Sequence, residues 1–175
     1  MAVRLRQEQS ETERLGAEML RRLDDLLLQL KVSEIRRDRA HEWLLEERYA
    51  RNLGNWLGRW IRAPKPIVVD DLEALAQHVE EGAVSSDEFD DVSRADFILA
   101  GRRPVPGGGD DVLAVVEISF TIDPHDIERA ARRAAILSRA GYDVVAVVGG
   151  YELTADAKER ANLLDVRIDL RQLAA

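Results

Sequence analysis

The run from Tyr142 to Val148 (YDVVAVV) is almost entirely apolar. A strand of that composition has no face to offer water, so it belongs inside an α/β sheet covered on both sides by helices. Its neighbours in sequence fit that placement. Asp123 and Pro124 supply an N-cap and a proline at the first helical position, and Gly141 closes the helix after Ala140. Ile127, Ala130, Ala131, Ala134 and Leu137 form its apolar stripe, with alanines small enough for close packing on a sheet. A helix capped by Thr154 and ending near Leu163 leads to a last strand from Val166 to Leu170.

Upstream, the stretches from Ala95 to Ala100 and from Val112 to Phe120 read as two strands of an antiparallel hairpin. A Pro- and Gly-rich loop joins them. Gly107, Gly108 and Gly109 in it lack the following Lys-Ser/Thr and helix of a phosphate loop. Between Val68 and Val92 the chain is polar and acidic, with one short helix expected from Asp70 or Asp71 to Glu81. Hairpin, helix, strand, helix, strand is the order of a mixed sheet flanked by helices.

The first third is helical in pattern. Leu15, Met19, Leu20, Leu23, Leu26, Leu27 and Leu30 recur at three- and four-residue steps from Gln9 to Lys31. Leu20, Leu23, Leu27 and Leu30 fit an a/d seam, but the heptad continues onto Glu13 and Glu34, so the coiled-coil signature covers only about two heptads. Self-association and packing back onto the chain's own domain are both open readings. A second helix is expected from Arg39 to Arg62, stopped by Pro64 and Pro66. Its apolar arc holds Trp43, Leu45, Tyr49, Ala50, Leu53, Trp56, Leu57, Trp60 and Ile61, with Glu46 near the centre. Two parts follow: an amphipathic segment at 1–38 and an α/β domain at 39–175.

Charge and composition exclude several functions. The 175 residues contain no cysteine, so Cys-zinc sites and thiol catalysis are ruled out, and three scattered histidines make an all-His site unsuitable. Any metal would need oxygen ligands. The net charge is −8, with the excess of acid carried beyond Lys65. A generally basic nucleic-acid surface is therefore not indicated. Neither a long apolar span nor a leader pattern is visible, and a cytoplasmic location without membrane attachment is expected.

Within the hairpin, Asp96 shares a strand face with Ile98 and Ala100, and Glu117 shares one with Val115 and Ser119. On neighbouring strands these two acids can converge on one hard cation, Mg²⁺ or Mn²⁺, with the Ile118 carbonyl and waters completing an oxygen shell. Glu46 on the facing helix offers a third carboxylate, or forms a salt bridge at the edge of the buried face. A helix with glutamate, a strand with Asp and a strand with Glu-x-Lys, followed by helix and strand, make up the core of the PD-(D/E)XK nuclease superfamily. Leu45-Glu46, Asp96 and Glu117-Ile118-Ser119 resemble its motifs. The stretches LLEERY, RADFILAGR, VVEIS, DPHDIERAARRAAILSRAG and VVAVVGG resemble a bacterial group of that superfamily with an N-terminal coiled coil.

The resemblance implies a restriction-endonuclease-like fold and a Mg²⁺- or Mn²⁺-dependent hydrolase cutting phosphodiester bonds, with DNA as the expected substrate; the self-association reading of the N-terminal helix makes a homodimer or homo-oligomer the expected assembly. By the resemblance, Asp96 and Glu117 are metal ligands and Glu46 is an auxiliary acid. Ser119 stands where the family has lysine. Arg129, Arg132 or Arg133 on the next helix can supply the missing positive charge, but no guanidinium is a general base near neutral pH. The alternative pairing for these arginines is with acids one turn away, as Glu128 with Arg132. A domain without that lysine also suits a second implied role, a catalytically inactive module that binds nucleic acid or protein.

Overall fold

The computed structural model describes the backbone of residues 2–172 except Gly108, and the side chains of 18–30 and of 43–172, Gly108 again excepted. It divides into two compact units, Met1–His41 and Glu42–Ala175. In the first, Met19, Leu20, Leu23, Leu26, Leu27 and Leu30 are exposed; the side chains of Glu13, Leu15 and Glu34 lie outside the described residues.

The second unit is a mixed α/β domain. Its five-stranded sheet has the order β1-β2-β3-β5-β7, formed by β1 (Arg62–Pro66), β2 (Phe97–Arg102), β3 (Asp111–Ile118), β5 (Val144–Gly150) and β7 (Arg167–Leu170). The β1–β2 and β2–β3 pairs are antiparallel, and β3–β5 and β5–β7 are parallel. A short parallel pair, β4 (Thr121–Ile122) with β6 (Glu152–Leu153), lies outside this sheet. The parallel step from β3 to β5 is carried by helix α4 (Pro124–Arg139).

Local chemistry explains the ends of α4. The Asp123 carboxylate accepts from the amides of His125 and Asp126, and the Asp126 carboxylate accepts from the Asp123 amide. At the other end Gly141 takes φ 89°, and the Tyr142 amide donates to the Leu137 carbonyl. Only a residue without a Cβ enters that conformation freely.

Helices cover both faces of the sheet. Helices α2 (Glu73–Glu80), α3 (Ser86–Ser93), α4 and α5 (Ala155–Leu164) enclose one cluster with Ile98, Leu113, Val115, Ala146 and Val148. The last turns of α1 (Ala2–Leu57) enclose the other with Leu99, Val112, Ala114, Val116, Val145 and Val147. Alternate residues of β3 thus point into different cores, and its residues Val112–Ile118 are all buried. Each such aliphatic side chain contributes about 1.5–3 kcal/mol when taken out of water.

Three expectations need correction. The chain between the two expected helices is itself helical, and the break in α1 falls at Asn52 (φ −125°, ψ 15°). The buried stripe of its final turns is Leu45, Tyr49, Leu53 and Leu57, whereas Trp43 and Ala50 are exposed, because one helix rests on one sheet face along a narrow line. Pro64 and Pro66 do not merely stop a helix. They lie in β1, an edge strand, where a residue without an N–H is tolerated because one side of the strand has no partner. Helix α3 was not expected, although Ser85 and Glu88 form a capping box at its start.

Candidate functional site

Glu117 lies near the C-terminal end of β3 and points into the α4 side of the sheet. It is 1% exposed, and so needs a partner when ionised. Arg133, 5% exposed, provides it: its Nη1 is 2.5 Å from Glu117 Oε1. The same guanidinium donates to the Arg94 carbonyl at 3.1 Å and lies 3.2 Å from the Asp91 carboxylate. Arg129, one turn earlier on α4, places Nε 3.4 Å from Glu117 Oε2 and Nη2 2.8 Å from Asp126 Oδ1. Arg132 pairs with Asp91 at 2.7 Å. Among the described residues the alternative pairing of Glu128 with Arg132 does not form an ion pair; Glu128 is joined to Arg160 at 2.9 Å.

Asp96 occupies the turn just before β2. The residue itself is exposed, but its Oδ2 accepts the Ile118 amide at 2.6 Å. Ile118 therefore meets Asp96 through its N–H. Asp96 and Glu117 lie close enough to influence each other's ionisation. Burial pushes the Glu117 carboxyl up to about 7, helped by the neighbouring Asp96 charge and opposed by Arg133 and Arg129. The Asp96 carboxyl is also raised, chiefly by the protein packed around it, against the lowering effect of the Ile118 amide. Asp91 goes the other way, held low by the hydrogen bond from Arg132.

Ser119 is buried and its hydroxyl donates to the Thr121 carbonyl at 2.9 Å, closing the turn after β3. The hydroxyl is thereby engaged in a bond to the backbone of the same turn. Glu46 is half-buried beside Trp43, Glu47, Ala50 and Phe97. Phe97 belongs to the α1 side of the sheet and Glu117 to the α4 side, so the two glutamates project to opposite faces.

The donor set can be tested against a divalent cation. Both Glu117 oxygens face guanidinium nitrogens, and one Asp96 oxygen is held by a backbone amide. Glu46 does not converge with them. Among the described residues no three acidic or histidine side chains form a group able to hold a metal. Four carboxylates, of Asp91, Asp96, Glu117 and Asp126, meet three guanidiniums, of Arg129, Arg132 and Arg133. The cluster thus carries nearly balanced charge, with guanidinium groups beside both Glu117 oxygens. These residues do not fit a bound Mg²⁺ as they stand.

A second polar cluster joins α1 to β7 and was not foreseen. Asp169, 1% exposed, accepts the Tyr49 hydroxyl at 2.7 Å, both Nε and Nη2 of Arg171 at 2.7 Å, and Arg59 Nη2 at 2.9 Å. Burial, and next the hydrogen bond to Asp169, drive the Tyr49 hydroxyl far above its ordinary pKa. Gly149 makes the room: a Cβ there would fall 2.2 Å from the tyrosine oxygen. An acid alternating with apolar residues in the last strand was the available signal.

Comparison with protein-family models, curated proteins and solved structures gave no match. Among the described residues no helix is long and apolar enough to cross a membrane.

Proposed function

We propose that the 42–175 unit is a PD-(D/E)XK-like domain of restriction-endonuclease type in which arginine has replaced the metal, and that it acts as a non-catalytic binding module. The observation carrying this reading is the buried Glu117–Arg133 pair at 2.5 Å. Truncating one member of such a pair leaves a buried charge, which ties the pair to the fold rather than to turnover. The serine in the lysine position supports the same reading, since its hydroxyl is engaged by the Thr121 carbonyl.

A protein is the favoured partner. Residues 66–175 hold eleven basic and twenty-two acidic side chains, a balance that repels a phosphate backbone. The 1–38 segment provides assembly: Leu20, Leu23, Leu27 and Leu30 are exposed at a/d spacing, and Arg21, Arg22, Asp24 and Asp25 beside them bring both signs of charge to a second copy. Sedimentation of the wild type and of Leu23→Asp/Leu27→Asp tests the assembly. A wild type that sediments as an oligomer and a monomeric variant support it; identical sedimentation contradicts it.

The second reading is a Mg²⁺- or Mn²⁺-dependent nuclease acting on DNA. It is favoured by Asp96 and Glu117 facing one side of neighbouring strands. Plasmid nicking by the wild type and by Ser119→Lys separates the two readings. Neither protein cuts if the site is closed by arginine; metal-dependent cutting that Glu117→Ala abolishes establishes the nuclease.

A further inference from the structure

At the other end of the hairpin from Glu117, strands β1 and β2 border a cavity of about 580 Å³. That volume is typical of a small-molecule site. Arg62, Lys65 and Arg102 line it, and Arg62 and Arg102 are cross-strand partners in register. Like charges placed opposite each other on an antiparallel pair repel. Neither Arg62 nor Lys65 has an ion pair among the described residues, and Arg102 meets only the exposed Asp111, at 3.9 Å. The other acid of the cavity, Asp143, is held on both oxygens by Arg103, at 2.5 and 2.6 Å. Positive charge is therefore in excess in this cavity of an otherwise acidic domain.

The wall is strained as well as charged. From Arg62 to Lys65 strand β1 advances three residues while β2 advances two, from Arg102 to Ala100, so β1 bulges at this point. Ala63 within the bulge has φ 51°, a left-handed conformation that an alanine adopts only under constraint. The remaining lining, from Ala63, Ala100, Gly101, Val112, Leu113 and Tyr142, is mainly apolar, and the Tyr142 hydroxyl is engaged by the Ala74 amide.

We infer that the β1–β2 cavity binds a small phosphomonoester with an apolar or aromatic body, the phosphate lying between Arg62 and Arg102 near Lys65. Two guanidiniums match the planar, bidentate recognition of a doubly charged phosphate, and the apolar wall receives the body. This site is independent of the Glu117 cluster.

Calorimetric titration of the full chain with AMP, phenyl phosphate, adenosine and inorganic phosphate tests it. The two phosphomonoesters bind, adenosine does not, and inorganic phosphate binds more weakly than either. Arg62→Ala and Arg102→Ala each weaken AMP or phenyl phosphate at least about tenfold, as expected for loss of a hydrogen bond to a charged group. Both arginines are exposed and oppose each other across the strands, so the variants melt no lower than the wild type. Failure of both phosphomonoesters to bind at millimolar concentration, or binding that neither variant weakens, overturns the assignment. Inorganic phosphate binding as tightly as the esters also overturns it, because the apolar wall would then have no role.

Discussion

Replacing Glu117 by glutamine changes how the stability of the domain depends on pH. Burial raises the Glu117 carboxyl from 4.5 to about 7, so the folded protein keeps this proton over a range in which the unfolded chain has lost it. The contribution of this group is fully present below about pH 4.5, falls as pH rises, and is level again above about 7. The difference corresponds to about 3 kcal/mol across that window. Glutamine has no proton to lose, and its carbonyl still accepts from Arg133, so the variant lacks this decline. Urea unfolding of both proteins at pH 4.5, 6 and 8 gives the comparison. Wild type loses about 3 kcal/mol relative to Glu117→Gln between the first and last pH. Any pH-independent offset from the altered hydrogen bond drops out of the difference. A wild type that gains relative to the variant on going to pH 8 refutes the reasoning, for it would mean that Arg133 and Arg129 outweigh desolvation.

Three other substitutions test the surrounding account. Arg133→Met strands the buried Glu117 charge and costs about 3–5 kcal/mol at pH 8; adding Glu117→Gln recovers a large part, as chemical unfolding of the double variant will show. Tyr49→Phe removes the hydroxyl from buried Asp169 and lowers stability by about 1–2 kcal/mol in the same assay, with no change in the pH dependence set by Glu117. Ala63→Gly relieves the left-handed residue in β1 and raises stability by about 1 kcal/mol, read as a higher melting temperature.

The legible parts of the fold were those written in local signals. Asp123, Pro124 and Gly141 mark both ends of α4, and the apolar run before Gly149 fixes an interior strand, though β5 begins two residues later than Tyr142. Strand β1 was hidden because its prolines speak for termination, while their tolerance depends on β1 being an edge, a property of the assembled sheet. Helix α3 was missed in spite of the Ser85 and Glu88 pattern, since six of its eight residues are acidic or polar and mask its short apolar face of Phe89 and Val92.

The acids of the cluster and the arginines of α4 were legible as residues, but which of them pair was not. Strand alternation puts Asp96 with Ile98 and Glu117 with Val115, and both aliphatics do enter the α4-side core. The partner of Glu117 is sixteen residues away on α4, and Asp91, which steadies that partner, is forty-two residues from it. Such contacts follow from how α3 and α4 pack, which no spacing rule supplies. That Glu46 lies on the other side of the sheet from Glu117 was hidden for a related reason: a helical wheel shows that it faces the sheet side of α1, but not which face of the sheet α1 covers.

The central claim is that Glu117 is neutralised by arginine instead of a metal, and Mn²⁺ titration by calorimetry at pH 8 tests it most directly. The wild type and Glu117→Ala are predicted to give the same trace, with no binding beyond weak surface association. Stoichiometric, saturable Mn²⁺ binding by the wild type that vanishes in Glu117→Ala would contradict it.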